Sequence, residues 1–247
     1  MKIYLAGQGY FGKLVLDMII EHTGHPVVGV AAPAPLDAYS KIDRLYGAAF
    51  DRHIPLLPAG SLREATLPDG VDLIIAAHSH DFIGRKTRDK TTFGAIGFHP
   101  SLLPLHRGRD AIKWAIRLGE RVTGGTVYWL NDTVDGGPIA AQDWCFIPPT
   151  WDASRLWQER LQPMGVRLLQ QTITDIAHRK IVRIPQDPAM VTWEPALNQP
   201  ALYRPDLLQI GPALDGYTVI VDRETLHADP GAVAAARFEQ WLAGKGA

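Results

Sequence analysis

Ile3-Tyr4-Leu5-Ala6-Gly7-Gln8-Gly9-Tyr10-Phe11-Gly12 decides the architecture: an apolar run suited to a buried strand passes directly into a glycine-rich turn. Leu14, Ile19 and Ile20, set among polar residues, continue the chain as a helix, so the opening is a βα unit. Val27 to Ala31 reads as a second strand, Leu56-Leu57 as a short one, Val71-Asp72-Leu73-Ile74-Ile75-Ala76-Ala77 as a third buried strand, and Phe93 to Phe98 as a further one. Apolar strands alternating with helix-like intervals predict an α/β fold built on a doubly wound, mostly parallel sheet.

Beyond these units, Asp110 is expected to cap a helix running through Ile112, Ala115 and Ile116. Gly125 to Leu130 and Pro138 to Phe146 read as strands joined across the acidic turn Asn131-Asp132-Thr133-Val134-Asp135-Gly136-Gly137. From Asp152 to about Lys180 the spacing of Leu156, Leu161, Val166, Leu169, Ile173 and Ile176 is helical, with Pro163 expected to kink or restart the helix. Past Pro185 the chain is dotted with Pro188, Pro195, Pro200 and Pro205, and a strand at Tyr217 to Val221 and an alanine-rich helix after Pro230 are expected near its end. The reading is one α/β domain over residues 1–204 and a short C-terminal appendage over 205–247.

A chain of 247 residues suits one large core with a tail. An apolar fraction of 46% beside 21% charged residues is ordinary for a globular protein, and a formal charge of -1 offers no net field for gripping nucleic acid. Cys145 is the single cysteine, which excludes an intrachain disulfide and a thiolate metal cage. The first residues lack the long apolar region and cleavage site of a signal peptide, and no apolar stretch is long enough to span a bilayer. The expectation is a cytoplasmic protein without a membrane or nucleic-acid partner.

Gly7-Gln8-Gly9-Tyr10-Phe11-Gly12 also matches G-x-G-x-x-G between a strand and a helix, an arrangement that brings backbone amides close to a pyrophosphate. No Asp or Glu closes the second strand to hold a ribose hydroxyl, and Ala32-Pro33-Ala34-Pro35 supplies none. The glycines are therefore read as a tight βα turn rather than a dinucleotide site.

His99 ends a buried strand and opens the segment His99-Pro100-Ser101-Leu102-Leu103-Pro104, which its two prolines exclude from helix. It emerges at the C-terminal strand edge, where open α/β sheets bind ligands. Asp135 lies in a glycine-flanked turn whose small neighbours allow close approach to the backbone. Residue type and position alone make both ordinary loop residues more often than a catalytic pair.

Gly94-Ala95-Ile96-Gly97-Phe98-His99-Pro100-Ser101-Leu102-Leu103-Pro104, then Arg107-Gly108, then Val134-Asp135-Gly136-Gly137-Pro138-Ile139 resembles the core signature of the 10-formyltetrahydrofolate-dependent formyltransferases. That superfamily includes methionyl-tRNA formyltransferase, glycinamide ribonucleotide formyltransferase, sugar N-formyltransferases and the hydrolase domain of formyltetrahydrofolate dehydrogenase. The likeness runs over roughly residues 1 to 185 in element order and implies a Rossmann-like catalytic core. It further implies a 10-formyltetrahydrofolate donor, a small-molecule amine acceptor and no metal.

By the same resemblance His99 and Asp135 form the catalytic pair. Asp81, Phe82 and Ile83 would line the pterin pocket, with Val134 and Gly136 in the turn that covers its other side. A protonated His99 would stabilise the tetrahedral oxyanion formed when an amine attacks the formyl carbon, and Asp135 would hold that ring charged and accept the amine proton. The transferases usually carry an asparagine two residues before the histidine as a second oxyanion donor, whereas this chain has Gly97. Ser101, a backbone amide or a water is expected to compensate, or the reaction is hydrolysis of the donor; a folate- or nucleotide-binding protein without turnover is the non-enzymatic alternative. His78 and His80 alternate on leaving a strand, which argues against a shared metal. Arg107 and Arg109 read either as anion contacts or as solvated surface residues.

Overall fold

The computed structural model describes residues 1–194 other than 38 and 80, together with residue 197. The expected appendage over 205–247, with its strand and helix, lies outside the described residues. The first half alternates as predicted: β1 (Ile3–Gly7), α1 (Gly9–His22), β2 (Val27–Ala32), α2 (Arg44–Asp51), β3 (Leu56–Pro58), β4 (Leu73–Ala77), α3 (Arg85–Asp89) and β5 (Gly94–His99). It continues with α4 (Ala111–Arg117), β6 (Val122–Trp129), β7 (Ile139–Phe146), α5 (Ala153–Leu156) and α6 (Gln162–Ala177). The strands join one sheet in the order β3-β2-β1-β4-β5-β6-β7. Pairings among β1 to β5 are parallel, while β6 runs antiparallel to both β5 and β7.

Alternation along β1 shows why its run is continuously apolar. Ile3 and Leu5 face a core shared with Val15, Leu16 and Ile19 of α1 and Leu168, Leu169 and Ile173 of α6. Tyr4 and Ala6 face the opposite core with Ala31, Leu67, Ile74, Ile83 and Ala95. Both faces of the strand are covered, so neither side tolerates a polar residue.

The glycine turn after β1 works as packing. A Cβ on Gly7 would stand 2.4 Å from the Ala77 carbonyl oxygen of β4. Asp43, the N-cap of α2, accepts hydrogen bonds from Leu45 N and Tyr46 N with Oδ1 and from Gly9 N, at 2.8 Å, with Oδ2. The protein's own carboxylate thus occupies the place at the α1 N-terminus where a pyrophosphate would seek amide donors.

Two local readings are refined. Asp110 sits at the N-cap of α4 but with φ of 61°, and its side chain makes no capping hydrogen bond. Its Oδ1 instead takes Lys113 Nζ at 2.7 Å and its Oδ2 takes Leu197 N at 3.1 Å. The helix expected from 152 to 180 is continuous, because a π turn over Trp157–Leu161 joins α5 to α6. The wider turn falls immediately ahead of Pro163, which has no N–H to continue the α-helical ladder. Among the described residues no helix is long and apolar enough to cross a membrane.

Candidate active site

Pairing of β5 with β6 sets the site's frame, placing His99 opposite Thr126 and Gly97 opposite Tyr128. At the end of β6 the chain turns through residues 131–137 and brings Asp135 back over the strand end. His99 Nδ1 and Asp135 Oδ2 lie 3.5 Å apart, with the two side chains 8% and 14% exposed. The two residues named from sequence are therefore neighbours across 36 positions of chain.

His99 Nε2 sits 2.7 Å from the His106 carbonyl oxygen. A carbonyl can only accept, so Nε2 carries a proton, and Nδ1 is left as the atom that gains or loses one beside Asp135. Asp135 itself has φ of 49°. Its Oδ2 accepts from Gly108 N at 2.8 Å and its Oδ1 from the Tyr128 hydroxyl at 2.6 Å. Its main-chain carbonyl accepts from Gln186 Nε2, which also donates to the Gly137 carbonyl.

Gln186 Oε1 in turn receives Arg107 Nε at 3.0 Å and Nη2 at 2.7 Å. Arg107 is 7% exposed and holds the turn through Nε and Nη2, which corrects its reading as a solvated surface residue. Burial draws its pKa below the ordinary value, against the pull of nearby Asp135. Ser101 is likewise committed, since its hydroxyl donates to the Leu105 carbonyl at 2.6 Å. Its carbonyl accepts Thr126 Oγ1 at 2.7 Å, so the residue braces the loop, and its proton is not available to a substrate in this geometry.

Space at residue 97 is already filled. A Cβ there would stand 3.0 Å from Leu130 Cδ1 and 3.4 Å from Tyr128 Cε1. No side chain with a donor fits at that position without displacing its neighbours.

The three residues expected on the pterin wall separate. Phe82 is 80% exposed, whereas Ile83 is 3% exposed and belongs to the core beneath, a correction to its place as a lining residue. Asp81 accepts from Gly60 N and from Ser79 Oγ, joining two loops at the strand edge. Facing them, the turn carries Val134, 54% exposed, and Gly136, which lies against Arg107. Asp132 connects the two sides through Arg88, at 2.6 Å, and Arg85. Those arginines, Arg88 first, hold the Asp132 carboxyl below the usual range. His78 is exposed with φ of 59°, and His80 lies outside the described residues. Among the described residues no group of three or more His, Cys, Asp and Glu side chains is placed to hold a metal.

Sequence reading missed the support behind His99. His106, 4% exposed, puts Nε2 2.8 Å from Glu120 Oε1 and Nδ1 3.0 Å from Glu194 Oε2. Burial alone would lower its pKa, but the two carboxylates outweigh it and raise the value from 6.5 to about 9. A raised folded-state value means that the charged ring contributes its full stability below about pH 6.5 and loses it as pH climbs through about 9. We expect the melting temperature to fall across that window and the fall to shrink in Glu120→Gln; parallel thermal melts from pH 6 to 10 check it.

The formyl transferase family model matches residues 60–173. Mitochondrial 10-formyltetrahydrofolate dehydrogenase of Mus musculus is 32% identical over 204 residues, which covers 78% of this chain and 22% of that protein. Methionyl-tRNA formyltransferase of Chloroflexus aurantiacus is 32% identical over 202 residues, 78% of this chain and 64% of its own length. The chain thus spans less than two thirds of the curated relatives it matches. Among solved structures, the fold matches an N-formyltransferase from Helicobacter canadensis bound to folinic acid and dTDP-3-aminofucose, with a TM-score of 0.62 at 19% identity over 78% of this chain and 70% of that one. It also matches phosphoribosylglycinamide formyltransferase from Bacillus halodurans, with a TM-score of 0.59 at 21% identity over 71% and 95%.

Proposed function

This chain belongs to the formyltransferase superfamily, and from that premise we propose that it moves the formyl group of 10-formyltetrahydrofolate to the amine of a small acceptor, using His99 and Asp135. The observation that carries the reading is the 3.5 Å approach of His99 Nδ1 to Asp135 Oδ2, with Nε2 already anchored.

The chemistry follows from those atoms. An amine attacks the formyl carbon, its lone pair forming the new C–N bond while the carbonyl electrons move to oxygen. With Nε2 held by the His106 carbonyl, the Nδ1–H that Asp135 favours from 3.5 Å is the one that donates to that oxyanion. The amine's proton passes to Asp135 directly or through water, the C–N bond to the folate nitrogen breaks, and that nitrogen takes up a proton as tetrahydrofolate leaves. Phe82 and Val134, exposed on the tied loops, would flank the donor's pterin, with Asp81 and Gly136 shaping the backbone around it and Ile83 supporting from the core. Ser101 keeps the His99 loop in place. The near-neutral chain favours a small acceptor over initiator tRNA or another nucleic-acid partner.

Hydrolysis of the donor is the second reading, favoured by Gly97, which brings no side-chain donor to the oxyanion, and by the likeness to 10-formyltetrahydrofolate dehydrogenases. Single-turnover release of tetrahydrofolate, with and without a mixture of amino sugars, amino acids and other small amines, separates the two. Release that requires an amine and yields a formylated product supports transfer. Equal release without amine supports hydrolysis, and no release in either mixture sinks both.

A further inference from the structure

We propose that Tyr128 is a positioning residue of this site, its ring filling the volume left by Gly97 and its hydroxyl fixing the Asp135 carboxylate toward His99. The inference rests on the reading of His99 and Asp135 as the reacting pair.

Gly97 and Tyr128 are direct partners across the antiparallel β5–β6 ladder. A Cβ at 97 would crowd Leu130 Cδ1 at 3.0 Å and touch Tyr128 Cε1 at 3.4 Å and Cζ at 3.6 Å, so the Tyr128 ring lies directly against the space beside Gly97. Cζ bears the hydroxyl, which places an O–H donor at the edge of that space, and its proton goes to Asp135 Oδ1 at 2.6 Å. Gly108 N holds the other oxygen at 2.8 Å. A carboxylate turns easily about its last side-chain torsion, which is broad and roughly two-fold. One donor on each oxygen removes that freedom and leaves Oδ2 as the oxygen facing His99.

Tyr128 donates without interruption, since burial, then the neighbouring Asp135 charge and hydrogen bond, push its pKa well above the ordinary tyrosine value. Where Gly97 brings no donor to the reacting oxygen, the neighbouring Tyr128 brings one to the carboxylate beside the histidine.

Tyr128→Phe keeps the ring and removes only the O–H. Turnover of 10-formyltetrahydrofolate in Tyr128→Phe is expected to fall about tenfold to a hundredfold, the range for losing a hydrogen bond to a charged group, with the KM for donor within about twofold of wild type. The ring ¹⁵N resonances of His99, identified by their loss in His99→Ala, are expected to move as well, a change that pure space-filling by the ring would not cause. Turnover and resonances matching wild type overturn the proposal and leave the catalytic pair standing. Full turnover in His99→Ala is a different result, because it removes the pair itself and the proposal with it.

Discussion

His99→Ala is expected to slow tetrahydrofolate release about a hundredfold to a thousandfold, the scale of losing an oxyanion donor. The ring has a backbone anchor at one nitrogen and a carboxylate beside the other, and no second side chain among the described residues combines the two. The fold should survive: the deletion leaves the His106 carbonyl without its partner, which costs on the order of 1–3 kcal/mol, and water can enter the vacated space. Donor binding measured by fluorescence should stay within a few-fold, because the loops proposed to flank the pterin are tied through Asp132 and not through His99. A loss of less than tenfold in release would mean that His99 is a strut and that the chemistry lies elsewhere.

The second large effect is structural. At Gly137 an added Cβ would sit 1.6 Å from the Trp129 carbonyl oxygen, and the obstacle is backbone that cannot swing aside. Trp129 N donates to the Pro138 carbonyl at 2.8 Å, so this contact closes the β6–β7 hairpin. Gly137→Ala should therefore cost about 3 kcal/mol or more, at the severe end for one methyl group, and should carry Asp135 off His99 at the same time. Thermal melts and release assays on the same preparation test both. Gly47→Ala is the control: its Cβ meets only Ile42 Cγ2, at 3.4 Å, and a helical alanine should hold or raise the melting temperature. Equal behaviour of the two variants would contradict the hairpin argument.

Residue patterns reached different depths in different parts of the molecule. The parallel strands were legible because burial on both faces demands unbroken apolar runs such as Leu73 to Ala77. His99 and Asp135 were nameable through the family signature, and their approach needed the β5–β6 register, which no local spacing encodes. Tyr128 reads as any strand tyrosine until it is paired with Gly97. Gln186 lies in a proline-dotted stretch without periodicity, yet it clamps the Asp135 turn to Arg107. His106, Glu120 and Glu194 meet from distant parts of the chain, so their charge coupling is wholly tertiary. The family resemblance groups Phe82 with Ile83, while the fold sends these adjacent side chains to opposite environments, one exposed and one in the core.

Asp43 has a consequence for ligand choice. Tethered against Gly9 N at 2.8 Å, it already holds an amide that an incoming phosphate would need, and it does so without the entropy cost of bringing in a separate molecule. A dinucleotide arriving at this turn would have to evict a negative charge before placing its own. The glycine turn that the sheet requires thus comes with its helix-end amide already paired to a carboxylate of the same chain.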